Sequence, residues 1–158
     1  MYKSFGYPEF NASGEQILTT YNNEYSNMLM DIRVYKIKAD EERIFCREGE
    51  EIAILLLAGK ITYIFDGQEK TVSRKDVFTE GPWCVHVCSN TKVIVKANSD
   101  AEILVQCTKN EKQFPAKLYA PKDVPWGYSC AGKFGNTAQR QVNTILIMTQ
   151  HLILIWFR

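Results

Sequence analysis

The chain has 158 residues, enough for one domain that buries a hydrophobic core without disulfide or metal crosslinks. Nineteen Lys and Arg residues against eighteen Asp and Glu leave a net charge of +1, which disfavours a nucleic-acid-binding or membrane-surface protein. Apolar residues at 46% and charged residues at 23% exclude a disordered, collagen-like or coiled-coil chain.

Alternating apolar side chains predict a half-buried strand that starts near Met28. Met28, Met30, Ile32 and Val34 share one side of this strand, and Asp31 and Arg33 share the other. The apolar side changes near residues 35–37, which predicts a bulge or the end of the strand. Upstream, residues 16–25 are ambiguous and allow a short N-terminal helix.

Further strands are predicted at short intervals between turn-forming residues. Apolar runs at 52–57 and 61–65 are separated by Ala58-Gly59-Lys60, and the second runs into Asp66-Gly67, a tight-hairpin signature. The remaining strands are predicted at 71–73, 84–88, 92–97 and 101–107. Seven or eight short strands without a helical stripe predict a sandwich or barrel.

The composition changes after residue 107, where Pro115, Pro121 and Pro125 are followed by a segment rich in Gly, Ser, Asn and Gln. We expect this segment to wrap around the β core. The apolar run at 145–157 is shorter than the roughly 20 residues that a membrane-spanning helix needs, so no membrane anchor is expected.

Five cysteines, an odd number, follow an N-terminus without a secretion signal, which predicts a reduced, cytoplasmic compartment. Cys84, His86 and Cys88 alternate with valines and offer three candidate metal ligands on one strand face. The simpler interpretation is a core strand, with cysteine in the interior and histidine at its edge. Only His86 and His151 are available as a histidine base, so no catalytic residue is predicted and the substrate-binding residues stay unknown.

The sequence also resembles a known family. The stretch from REGE at 47–50 to Asp66-Gly67 resembles the first motif region of cupins, small double-stranded β-helix barrels. NSDA at 98–101, EKQFPAKL at 111–118 and RQVNTI at 140–145 resemble the N-terminal half of the 5-deoxy-glucuronate isomerases of myo-inositol catabolism. The resemblance covers residues 28–146 and implies an all-β, cupin-like barrel or sandwich with irregular N- and C-terminal extensions.

The family members are bicupins nearly twice as long, and their divalent, zinc-type metal lies in the C-terminal barrel. Their metal motif contains three imidazoles, whereas this chain has two histidines that are more than 60 residues apart. The resemblance therefore implies no metal or other cofactor in this chain. It also implies little or no isomerase turnover without the second barrel.

The predicted domain organisation has four parts: an N-terminal extension at 1–27, a cupin-like β domain at 28–110, a Pro- and Gly-rich wrap or linker at 111–146, and an anomalous apolar tail at 147–158. The tail is interpreted as the product of a shifted reading frame or early stop. The competing interpretation is a native strand that pairs with the core or with a second subunit.

The expected function is that of the N-terminal half of an aldose–ketose isomerase acting on a uronic acid. The alternative is a non-catalytic module that binds a sugar acid or a protein partner. A small uronic acid is the expected family ligand, with no nucleic acid and no membrane as partners. A homo-oligomer is expected because the surface that a second barrel would cover is left apolar.

Overall fold

A computed structural model describes residues 8–23, 25–129, 140–145 and 155–157, and these residues form twelve β-strands. The strands are β1 Glu15–Thr19, β2 Met30–Ile37, β3 Glu42–Phe45, β4 Glu50–Phe65, β5 Gln68–Arg74, β6 Trp83–Val87, β7 Val93–Ala97, β8 Ala101–Lys109, β9 Lys117–Tyr119, β10 Trp126–Ser129, β11 Arg140–Thr144 and β12 Ile155–Phe157. Single 3₁₀ turns occur at Ser26–Met28 and Pro121–Asp123. No helix in the described part of the chain is long and apolar enough to cross a membrane.

Two antiparallel sheets share the long strand β4 and enclose the core. The first sheet has the strand order β1-β2-β8-β4-β6-β9, and the second sheet has the strand order β3-β7-β4-β5. Strands β10, β11 and β12 form a small separate sheet. The all-β prediction of a barrel or sandwich is confirmed.

Strand β4 passes from the first sheet to the second near Gly59. Its register against β8 shifts between Leu56 and Ala58, which marks a bulge at the crossing. Gly59 has a φ of +104°, and a Cβ atom there would lie 2.5 Å from the carbonyl oxygen of Asp100. The prediction of two runs separated at residues 58–60 is therefore wrong, because the break is a bend within one strand.

Strand β2 pairs with β8 without interruption from Met30 and ends at Ile37, so the predicted end of the strand at residues 35–37 is confirmed and the alternative, a bulge, is not found there. The short N-terminal helix is a wrong prediction. Within 16–25, the described residues 16–23 and 25 contain the end of strand β1 and no helix, because pairing with β2 overrides the ambiguous local pattern. The Asp66-Gly67 hairpin between β4 and β5 is confirmed, with φ angles of +46° and +70° that fit a tight two-residue turn.

Both faces of the first sheet are buried, which explains the continuous apolar run in β4. The inner cluster lies between the two sheets and includes Ile52, Ile54, Leu56, Ile61, Tyr63, Phe65, Val85, Val87, Val95, Ile103 and Val105. The outer cluster lies on the other face and comprises Val34, Ala53, Leu55, Leu57, Cys84, Leu104, Val124 and Ile145.

The flanking segments complete this double burial. Strand β1, from the predicted N-terminal extension, pairs with β2, and β9, from the predicted wrap, pairs with β6. Val124 and Ile145, also from the wrap, join the outer cluster. In the apolar tail, Ile155–Phe157 pairs with β11, while residues 147–154 lie outside the described residues. The domain boundaries stay predictions.

Candidate functional site

The interior of the barrel is a packed apolar core. Ile54, Leu56 and Ile61 are all 0% exposed and face the other sheet. Tyr63 is buried among them, and its hydroxyl donates a hydrogen bond of 3.1 Å to the carbonyl oxygen of Ile54. Because these buried side chains pack against one another, the described interior is a stabilising core.

Polar groups gather at one end of this core. They are Glu15, Tyr21, Asp31, Arg33, Tyr35, Glu50 and Cys107, and we call this group the polar mouth. Asp31, Arg33 and Tyr35 share one face of β2 with Ile37, because side chains alternate along a strand. Asp31 is opposite Cys107, and Glu15 is opposite Tyr35, so neighbouring strands bring the group together.

An ion-pair network fixes the polar mouth. The guanidinium of Arg33 donates two hydrogen bonds to Asp31, of 2.7 and 2.8 Å, and a third of 2.8 Å to Glu15. The hydroxyl of Tyr35 donates a bond of 2.9 Å to the same Glu15 oxygen. Such forked, charge-assisted bonds hold all four side chains in one geometry.

The surroundings decide which of these groups are ionised. The hydrogen bond from Arg33 holds the pKa of the Glu15 carboxyl below its ordinary value. Burial raises the pKa of Tyr35 to about 12 and that of Cys107 to about 12, and it raises the pKa of Tyr21 as well. The thiol and the phenols are therefore neutral at physiological pH, and none of them is an activated nucleophile or base there.

A cavity of about 370 Å³ opens beside the polar mouth. Its lining residues are Ser13, Glu15, Tyr35, Arg43, Ile44, Phe45, Cys46 and Arg47. Arg43 donates a hydrogen bond of 2.5 Å to the carbonyl oxygen of Ser13, and its guanidinium lies 5.8 Å from the ring centroid of Tyr35. Strands β1, β2 and β3, the turn at Ser13 and the loop after β3 thus build a polar recess with two arginines.

The sequence-predicted ligands Cys84, His86 and Cys88 lie away from this recess. Cys84 is buried in the outer cluster, where burial raises its pKa to about 12. Cys88 follows the end of β6, and its thiol lies 3.1 Å from the side-chain oxygen of Gln113. In the described residues, no three His, Cys, Asp or Glu side chains form a group that could hold a metal ion.

His86 occupies a closed polar niche on the outer side of the first sheet. Its ring stacks on Phe114 with a centroid distance of 4.5 Å, and its Nε2 lies 3.4 Å from a carboxylate oxygen of Glu51. The side-chain amide of Asn110 donates a bond of 2.8 Å to that oxygen. This arrangement ties the segment after β8 to the sheet and places the imidazole outside the barrel. His151 lies outside the described residues.

Sequence reasoning missed the polar mouth and the two arginines of the cavity. Asp31 and Arg33 looked like the solvent-facing side of an alternating strand. The available signal was the spacing of two residues from Asp31 and Arg33 to Tyr35 and Ile37, which places all four side chains on one face of the strand. Polar residues that precede apolar residues on the same face indicate the end of a row that faces the core.

The fold and the site define a cupin-type β-barrel with a packed interior. A family model described as the KduI/IolB family matches residues 6–154, and the chain therefore belongs to the KduI/IolB family, whose members are sugar-acid isomerase-like proteins. The match includes residues 147–154 of the apolar tail. No curated protein matches the chain.

Solved structures show the same fold. An IolB-like protein from Salmonella typhimurium has a TM-score of 0.75 and 20% identity, and the alignment covers 90% of this chain and 53% of that protein. YlbA from Escherichia coli has a TM-score of 0.59 and 15% identity, with 84% and 49% covered. A predicted oxalate decarboxylase from Thermotoga maritima has a TM-score of 0.50 and 14% identity, with 61% and 79% covered. The chain thus spans about half the length of the first two proteins.

Proposed function

We propose that the chain is the non-catalytic N-terminal barrel of a 5-deoxy-glucuronate isomerase-like protein of myo-inositol catabolism. The packed barrel interior carries this proposal, because Ile54, Leu56 and Ile61 are fully buried between the two sheets and offer no polar group to a substrate. Membership of the KduI/IolB family and the coverage of 53% of the IolB-like protein support it. In this proposal the chain supplies a rigid scaffold and a second barrel supplies the chemistry.

The described residues do not fit the metal that the family implies. Aldose–ketose isomerisation needs a base to move a proton between adjacent carbons and an electrophile to stabilise the enediolate. Among the described residues, His86 carries the one imidazole group, and its ring stacks on Phe114 on the outer side of the sheet. The nearby acid Glu51 does not complete a group of metal ligands with it among the described residues.

An activity assay on the 158-residue chain tests this proposal. The chain is incubated with 5-deoxy-glucuronate, with and without Zn²⁺ or Mn²⁺, and loss of the aldose is followed by NMR spectroscopy. We expect no turnover above the rate of the buffer with metal alone. A bicupin isomerase serves as the positive control, and metal-dependent turnover by the chain would overturn the proposal.

A second candidate function is a non-catalytic binding module, and the arginine-lined cavity beside the polar mouth favours it. Such a module could also bind a second copy of the chain, since Leu29 and Phe78 are exposed apolar side chains. Light scattering across a concentration series measures it, and a monomer at all concentrations would remove the homo-oligomer from the proposal.

A further inference from the structure

We propose that the cavity beside the polar mouth binds a small sugar acid, with Arg43 and Arg47 holding its carboxylate. The arginines identify a carboxylate, and the choice of a sugar acid rests on the proposed function. The site differs from the barrel interior, because it opens at the end of the core between the Ser13 turn, strand β3 and the loop after it. It requires neither a metal nor a second barrel.

The size and lining of the cavity suit a monosaccharide. Its volume of about 370 Å³ lies at the lower end of the range for small-molecule pockets, roughly 300–1,000 Å³. Phe45, whose ring packs edge-on against Tyr35, offers apolar surface for the C–H face of a sugar ring. Ser13 and Glu15 offer oxygen atoms that can accept hydrogen bonds from sugar hydroxyls.

The charges favour an anion. Glu15 is the one carboxylate among the lining residues, and Arg33 and Tyr35 already neutralise and occupy one of its oxygens. Arg43 and Arg47 form no ion pair within 4.0 Å with a described carboxylate, so no directly paired side chain competes with a ligand carboxylate for their guanidinium groups.

The orientation of Arg43 favours a fork-like contact. One of its terminal nitrogens is held by the carbonyl oxygen of Ser13, and its guanidinium lies beside the ring of Tyr35. A guanidinium has five N–H donors, so donors remain for a ligand after this bond. A planar guanidinium that is fixed before binding loses less freedom when a carboxylate accepts two parallel hydrogen bonds.

Isothermal titration calorimetry of the 158-residue chain tests the site. The probes are glucuronate, neutral glucose, acetate and inorganic phosphate. We expect glucuronate to bind, glucose to bind at least about tenfold more weakly, and added salt to weaken glucuronate binding. Equal affinity for glucose, or affinity for acetate or phosphate that matches glucuronate, would overturn the assignment to a sugar acid.

Single substitutions locate the site. Arg47→Met and Arg43→Met should each weaken glucuronate binding at least about tenfold, because each removes a charge-assisted contact. Lys122→Met is the matched control, since it removes one exposed positive charge from a residue that does not line the cavity. Arg47→Met keeps the test valid if the loss of the Arg43–Ser13 bond impairs folding.

The outcomes separate this inference from the proposed function. Unchanged binding in Arg47→Met would overturn the inference, whatever the activity assay shows. Metal-dependent turnover would overturn the proposed function, whatever glucuronate binding shows. Loss of binding in Arg47→Met but not in Lys122→Met, with unfolding temperatures unchanged, would support the inference.

Discussion

Replacing Arg33 with Met should destabilise the fold more than the loss of an ordinary surface ion pair. Arg33 joins Asp31 of its own strand to Glu15 of β1, so the substitution leaves two carboxylates without their shared cation. It also weakens the link that holds β1 at the edge of the first sheet. The methionine keeps the length and the apolar stem of the side chain, so the lost charge is the main change.

The burial of the three side chains sets the size of the effect. The side chain of Arg33 is 22% exposed, that of Glu15 is 18% exposed and that of Asp31 is 7% exposed. Exposed ion pairs contribute up to about 1 kcal/mol, and breaking a fully buried pair costs about 3–5 kcal/mol. We therefore expect Arg33→Met to lower the free energy of unfolding by about 2–3 kcal/mol, or the unfolding temperature by about 4–12 °C.

Urea unfolding of the wild type and Arg33→Met across a pH series measures this loss. The pKa of Glu15 lies below its ordinary value of 4.5 in the folded state, because Arg33 stabilises the ionised form. Its stabilising contribution is therefore complete above pH 4.5 and is lost as the pH falls through the lowered pKa. The difference between the two proteins should be largest near pH 7 and should shrink below pH 4.5.

The exposed pair between Lys38 and Asp100 provides the control. Its N–O distance of 2.8 Å equals that between Arg33 and Glu15, but its side chains are mostly exposed. Lys38→Met should leave the unfolding midpoint unchanged, because water and salt screen this pair. Equal losses for Arg33→Met and Lys38→Met, or a loss that does not depend on pH, would refute the reasoning.

Three further predictions concern the strand crossing, the niche of His86 and the thiols. Gly59→Ala should lower the free energy of unfolding, measured in urea, by at least about 2 kcal/mol, because the added Cβ atom would meet the backbone of Asp100 and Ala101. The loss should exceed that of Gly67→Ala, whose site is open, and equal losses would contradict this. Phe114→Ala should speed proteolysis after β8, whereas exposed Phe78→Ala should not; unchanged cleavage would contradict the stacking. In a Cys130→Ser variant the remaining thiols are exposed Cys46 and the buried Cys84, Cys88 and Cys107. Ellman's reagent should modify Cys46 quickly and the buried thiols only on unfolding. Rapid modification of two thiols in the folded protein would contradict this.

Much of the fold was predictable, because strand patterns and turn residues are local signals. The hairpin at Asp66-Gly67 needs positive φ angles that Asp and Gly adopt readily, and the short strands after it lie close to their predicted positions. The crossing at Gly59 was misread as a turn. A glycine between two apolar runs has the same local signature in a loop and in a bent strand, and only contact with the start of β8 distinguishes them.

The polar mouth was less predictable, because burial on both sides of a sheet removes the alternation that identifies a core face. In β2, Val34 belongs to the outer cluster and Ile37 to the inner cluster, so both faces carry apolar residues. Arg33 is inward-facing but polar, since it lies at the end of the barrel. Its role depends on Glu15 from another strand, and no local pattern contains that pairing.

The same limit applies to His86. Its spacing with Cys84 and Cys88 suggested metal ligands, but the three side chains have different contacts. Cys84 packs in the outer cluster, whereas His86 and Cys88 contact Phe114 and Gln113 from the segment after β8. Sequence spacing places side chains on one face of a strand, and the segment that covers that face decides what they contact.

Anomalous X-ray diffraction from crystals of the 158-residue chain soaked in Zn²⁺ tests the central claim most directly. Data collected on both sides of the zinc absorption edge locate bound ions without assumptions about their ligands. A packed, non-catalytic barrel predicts no anomalous peak between the two sheets, where Ile54, Leu56 and Ile61 meet. A coordinated ion among these side chains would contradict it.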